Sequence, residues 1–188
     1  MQRLEKVYVM NVEFDDISKA SKKIIELVRN WRNSEIVRKY MINTHFITKN
    51  EHKKWISTLK KDNNAKAWVI NYNKKPVGLA YLTNIEYKNK TTDWGLYIAD
   101  DTMRGKGIGS VALYKLMEYV FDEMNFNEMH TKVLENNPKA MKLYEKFGFK
   151  IKEKLEKKLV RDRKHINVIL FGISKKDWEN TKKLHIEN

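Results

Sequence analysis

The segment Arg104-Gly105-Lys106-Gly107-Ile108-Gly109 carries the residue types needed to hold an anion. Glycines let successive backbone N–H groups converge, and a helix starting among them adds partial positive charge, a combination that suits a pyrophosphate. Arg104 and Lys106 add charge at the edge of this loop, which runs on into Ser110. A second segment, Asn137-Pro138-Lys139-Ala140-Met141-Lys142-Leu143-Tyr144, opens 28 residues after Gly109 (137 minus 109), room for one helix and one strand. Pro138 is preset for a first helical turn, and Gly148 falls where that helix would stop. Tyr144 shares an apolar stripe with Met141 and Phe147.

These two loops need elements to position them. The spacing of apolar residues predicts an opening strand around Val7 and Val9, then a helix capped by Asp15 or Asp16 that carries Ile17, Ala20, Ile24, Leu27, Val28 and Trp31 on one face. A short helix is expected after Ser34. Thr48 with Glu51 forms a capping box for another, with Trp55, Ile56 and Leu59 inward, so that residues 15–61 read as helical. From Ala67 the texture becomes β: AWVINY, VGLAYLTNIEY and TTDWGLYI are joined by short polar turns and read as an antiparallel meander. A helix over about 107–124, a strand at HTKVLE, a helix over about 138–147 and strands around 150–160 and 165–173 complete the pattern. A strand, a crossover helix and a strand imply one parallel pair in an otherwise antiparallel sheet, hence a mixed α/β fold. The final residues, 174–188, read as a short helix or a frayed tail.

The two loops together resemble the GNAT superfamily of acyl-CoA-dependent N-acyltransferases. RGKGIG is similar to its Arg/Gln-x-x-Gly-x-Gly/Ala signature, and Asn137, Ala140, Tyr144, Gly148 and Phe149 match its N-x-x-A-x-x-x-Y-x-x-x-G-F pattern. The resemblance covers residues 66–173 and implies one GNAT domain over 1–188, with 15–61 on the acceptor side. It implies acetyl-CoA as co-substrate, its diphosphate on the amides of Arg104 through Ser110, and its pantetheine arm beside Leu96, Tyr97 and Ile98. Asn137 would reach the same arm. Tyr144 would be the general acid, a phenol that returns a proton to the leaving thiolate. An alkylammonium acceptor must also lose a proton; Glu135 and His52 are both candidates for that base, and the residues alone do not choose between them.

The N-terminal segments VRNWRNSEIVRKYM and THFITKNEHKKW, with the hairpin VRDRKHINVILFGI, are similar to a nucleotide-sugar branch of that superfamily, which works in the biosynthesis of pseudaminic acid and surface glycans. This likeness extends over nearly the whole chain. It implies a UDP-aminosugar acceptor, with Arg32, His52, Tyr81, Thr83 and Tyr97 lining its cleft, and a homodimer. Other branches acetylate polyamines or ribosomal protein N-termini.

Composition weighs on these choices. With 38 Lys and Arg against 24 Asp and Glu, the formal charge of +14 draws in polyanions and disfavours cationic acceptors. Because Lys is interleaved with acidic residues, as in EKKLVRDRK, the charge reads as a solvated surface and not as a nucleic-acid-binding arm. The absence of Cys removes a Cys acyl-enzyme and favours direct attack in a ternary complex over a ping-pong route through one. The five His show no metal-ligand spacing. No run of about 18 apolar residues exists, and the chain reads as soluble and cytoplasmic.

Overall fold

The computed structural model describes residues 10–161 and 163–186. The strand expected at Val7 and Val9 lies outside the described residues; the first strand described is β1, Val12–Asp16. Asp16 does act as a cap, but of a single 3-10 turn, Ile17–Lys19. Ser21 caps the helix proper, α1 (Lys22–Asn33). The single amphipathic helix expected from Ile17 onward is therefore two pieces. The apolar periodicity runs through both because both face the same core, whereas the two side-chain caps divide them.

Helix α2 (Glu35–Arg38) is one turn long. Residues 41–48 form no regular element, against the expectation of continuous helix, until the capping box of Thr48 and Glu51 opens α3 (Lys49–Leu59). The strands β2 (Lys66–Tyr72), β3 (Lys75–Glu86) and β4 (Thr91–Ile98) make the antiparallel meander, and β1 adds to its free edge against β2. Helix α4 (Ile108–Glu118) runs into a π-helical turn at Tyr119–Glu123. It leads to β5 (Glu128–Leu134), which lies parallel to β4. Helix α5 (Pro138–Lys146) and the hairpin of β6 (Lys150–Arg161) and β7 (Lys164–Ser174) follow. Among the described residues the sheet has seven strands in the order β1-β2-β3-β4-β5-β7-β6.

Each face of the sheet is covered. On one, α1 to α3 bury Val28, Val37 and Ile56 against Val69, Leu79 and Tyr97. On the other, α4 and α5 bury Leu113, Met117 and Tyr144 against Leu82, Trp94 and Phe171. The C-terminal segment is a helix, α6 (Lys175–Ile186), and it is anchored. Trp178 is fully buried, stacks on Phe121 and meets Tyr114 edge to face, and its indole N–H donates to Asp122 at 3.3 Å. His52 is also structural: it is buried between α3 and α1, its Nε2–H donates to the Ile25 carbonyl at 3.0 Å, and its ring packs on Trp55.

Trp178→Ala should lower the unfolding free energy by about 3–5 kcal/mol, read as a shift of the urea midpoint; a loss below about 1 kcal/mol would make α6 peripheral. Burial holds the His52 ring below its ordinary pKa of 6.5, partly opposed by the bond to Ile25. The unfolded chain therefore takes up this proton first. Stability from this residue is complete above pH 6.5 and declines as the pH falls below that value, until the folded ring itself protonates. His52→Gln should flatten that part of the stability profile, as measured by urea unfolding at several pH values.

Candidate active site

Strands β4 and β5 pair for only three residues, Thr91 with Glu128, Thr92 with Met129 and Asp93 with His130. Beyond them the strands part. β4 stays bonded to β3 as far as Ile98, and β5 stays bonded to β7 along its length. Their facing edges are therefore left with unpaired backbone groups, which a ligand with amides of its own could satisfy. The fork opens into a cleft of about 1210 Å³. That exceeds the roughly 300–1,000 Å³ typical of a site for one small ligand.

At one end of the cleft lies the glycine loop. Gly105 and Gly107 have φ of 76° and 89°, left-handed values that a residue with a side chain resists. Gly107 is the N-cap of α4, and the first amides bonded in that helix, those of Ser110 and Val111, both donate to its carbonyl. The amides from Gly105 to Gly109 find no acceptor among the described residues. They present a helix N-terminus to the cleft, as an anion site requires. Gly105, Lys106, Gly107, Gly109 and Ser110 line it, whereas Ile108 is buried beneath with Val12 and Ile70. Arg104 lines it as well, but its guanidinium turns back to donate to the Ile98 carbonyl at 2.9 and 3.0 Å. It ties the loop to the end of β4.

Asn137 and Tyr144 lie on the opposite lip. Asn137 caps α5, its Oδ1 accepting from the Ala140 amide at 3.3 Å. Tyr144 is nine-tenths buried, with its ring edge-to-face on Trp94 at 5.1 Å and on Phe171 at 5.5 Å. Burial pushes its phenol well above the ordinary value of 10; the nearby Tyr81 adds to this, and a hydrogen bond with Thr131 opposes it. The group is a neutral donor at physiological pH.

Cross-strand register decides what faces Tyr144. Tyr81 pairs with Gly95 and Thr83 with Asp93, so Tyr81, Thr83, Asp93 and Tyr97 project from the face beneath α1. Tyr144 belongs to the other face, and the fork is what brings its hydroxyl within the electrostatic reach of Tyr81. A side chain at Gly95 would collide with the Tyr81 ring. From α1, Arg32 donates through Nη2 to the Asn43 carbonyl at 2.5 Å. Its Nη1, the Tyr97 hydroxyl and the Trp94 indole N–H are buried with no hydrogen-bond partner among the described residues. Burial raises the Tyr97 and Tyr81 phenols, while the Arg32 charge lowers both.

Most residues expected in the site thus meet here: Arg32, Tyr81 and Thr83 on one side, Leu96, Tyr97 and Ile98 along β4, and the loop, Asn137 and Tyr144. Two do not. Glu135 points to the outer hairpin, where Lys154 lies 2.8 Å away and Asn167 donates at 2.6 Å; these partners hold its carboxyl below the ordinary range. His52 is packed behind α1. Neither lines the cleft. Asp93, which no motif in the sequence marks, does line it and accepts from Asn84 at 2.7 Å. Its only signal was a place two residues before Gly95, meaningful once the β3–β4 register is known.

Residues 19–150 match the Acetyltransferase (GNAT) domain family. The chain is 26% identical to Acetyltransferase PseH of Campylobacter jejuni over 140 residues, 74% of this chain and 85% of that protein. It is 29% identical to the Putative ribosomal N-acetyltransferase YdaF of Bacillus subtilis over 56% of this chain and 57% of that one. Spermidine N-acetyltransferase from Vibrio cholerae, solved in complex with CoA and spermine, superposes with a TM-score of 0.82 at 20% identity over 90% of this chain and 98% of that one, a likeness of fold. The chain belongs to the GNAT acetyltransferase family and is an acetyl-CoA-dependent N-acetyltransferase.

Proposed function

We propose that the enzyme transfers acetyl from acetyl-CoA to the 4-amino group of a UDP-linked deoxyamino sugar, as in pseudaminic acid biosynthesis, by direct attack with both substrates bound. The observation that carries this reading is Arg32, whose buried Nη1 lacks an acceptor among the described residues. A buried donor left unmatched costs about 1–3 kcal/mol, more when charged. A phosphate or carbonyl oxygen of the acceptor would relieve it; the ammonium groups of a protonated polyamine, which only donate, would not. The charge of the cleft supports the same choice. Arg32, Arg104, Lys106, Lys132, Lys139 and Lys146 line it, against Asp93 as the acidic lining residue. Likeness to PseH adds sequence support.

In this reading the thioester supplies the acyl group, and the free amides of the glycine loop hold the diphosphate. Asn137 reaches the pantetheine arm. Tyr144, kept neutral by burial, returns a proton to the departing sulfur. Asp93 replaces Glu135 and His52 as acceptor of the amine proton, directly or through water. The size of the cleft supports a ternary complex.

The test is release of free thiol with a panel of UDP-aminosugars, spermidine, spermine and N-terminal peptides. The expected outcome is preference for a UDP-4-aminosugar, and Arg32→Met should lower its kcat/KM by roughly 30-fold or more, the scale of losing one charged hydrogen bond. Preference for a polyamine or a peptide would remove the sugar assignment. Separately, Tyr144→Phe should reduce kcat on the order of 10²-fold with acetyl-CoA affinity by calorimetry unchanged. Undiminished kcat would remove the acid role.

A further inference from the structure

The wall of the cleft formed by Tyr40, Met41, Ile42 and Asn43 is held in an unusual way. It has no regular secondary structure after α2, and its side chains do little to fix it: Tyr40 and Ile42 are 37% and 38% exposed, Asn43 is exposed, and only Met41 is half-buried. A segment with so little apolar burial is expected to move. Turn bonds from the Tyr40 and Met41 amides to the Val37 and Arg38 carbonyls tie its start to α2, and its carbonyls are grasped by two arginines. Arg161, the last residue of β6 and some 120 residues away in sequence, donates through Nη1 to the Lys39 carbonyl at 2.9 Å. Through Nη2 it donates to the carbonyls of Met41 and of Ile42, the latter at 2.9 Å. Arg32 takes the next carbonyl, that of Asn43.

We infer that Arg161 is a positioning residue for the acceptor: a fixed fork of donors at the tip of the β6–β7 hairpin that sets the 39–43 wall at the width the acceptor needs, and so contributes to specificity. Planar guanidinium geometry is what allows one side chain to serve three carbonyls. A lysine at this position would supply charge without that geometry. Because the same wall meets Arg32, the two arginines act on one segment, Arg161 by holding it from outside and Arg32 by linking it to the acceptor. The inference rests on the reading that this side of the cleft receives the acceptor, but not on which amine that is.

The test compares wild type, Arg161→Met, which keeps bulk and removes the donors, and Arg161→Lys. The amine used is whichever member of the panel wild type acetylates best, so a wrong sugar assignment does not decide the outcome. For Arg161→Met the acceptor KM should rise on the order of tenfold, with kcat, acetyl-CoA affinity and thermal midpoint nearly unchanged. Arg161→Lys should recover only part of the loss. Hydrogen exchange at the amides of residues 39–43 should quicken in Arg161→Met without any substrate present. An unchanged acceptor KM, an equal loss of acetyl-CoA affinity, or unaltered exchange in that segment would overturn the inference.

Discussion

The parting of β4 and β5 is the constraint on which the rest of this molecule depends. Two parallel strands that stayed bonded would close the sheet, and the helices on its two faces would have no opening between them. Because the ladder stops at Asp93 and His130, edge groups of both strands face an open space, and side chains from opposite faces can meet across it. Tyr144 from α5 and Tyr81 from β3 come together in this way. Both strands stay hydrogen-bonded on their other sides, β4 to β3 and β5 to β7. The gap is therefore a feature of the scaffold and needs no loop to open it.

The polar chemistry within the gap follows from limited access to water. Three phenols, those of Tyr81, Tyr97 and Tyr144, are pushed toward their neutral forms by burial, and Arg32 supplies a positive charge near two of them. In such a place a donor without a partner is expensive, and Arg32 Nη1, Tyr97 Oη and Trp94 Nε1 are all in that condition. A molecule that brings matching oxygens would relieve that cost. Affinity and discrimination then share a source: a ligand able to complete these groups gains, and one that cannot leaves them stranded.

Much of this was legible in the order of residues, and the reason is locality. Glycine in a left-handed turn, proline after an Asn cap, and the Thr48–Glu51 capping box are each written within about one helical turn, and each formed where expected. The alternating strands were equally readable. What failed needed information from a distance. Ile17 to Trp31 read as one helix because periodicity does not record that Asp16 and Ser21 both act as caps. Glu135 looked well placed beside Asn137, yet the outer hairpin claims its carboxylate through Lys154 and Asn167. Asp93 became visible only through its pairing with Thr83, and nothing near Arg161 in sequence signals the carbonyls it serves.

The long reach of that last contact bears on how the enzyme is made. A ribosome releases the segment after α2 early, and more than a hundred further residues must be synthesised before the tip of the β6–β7 hairpin exists to meet it. Until then, a nascent chain could already assemble its meander and its glycine loop, whose contacts are mostly local, while one bank of the cleft stayed unsettled. Completion of this wall of the cleft would then be among the final events of maturation, together with the seating of β7 and the last helix in the core beneath α4.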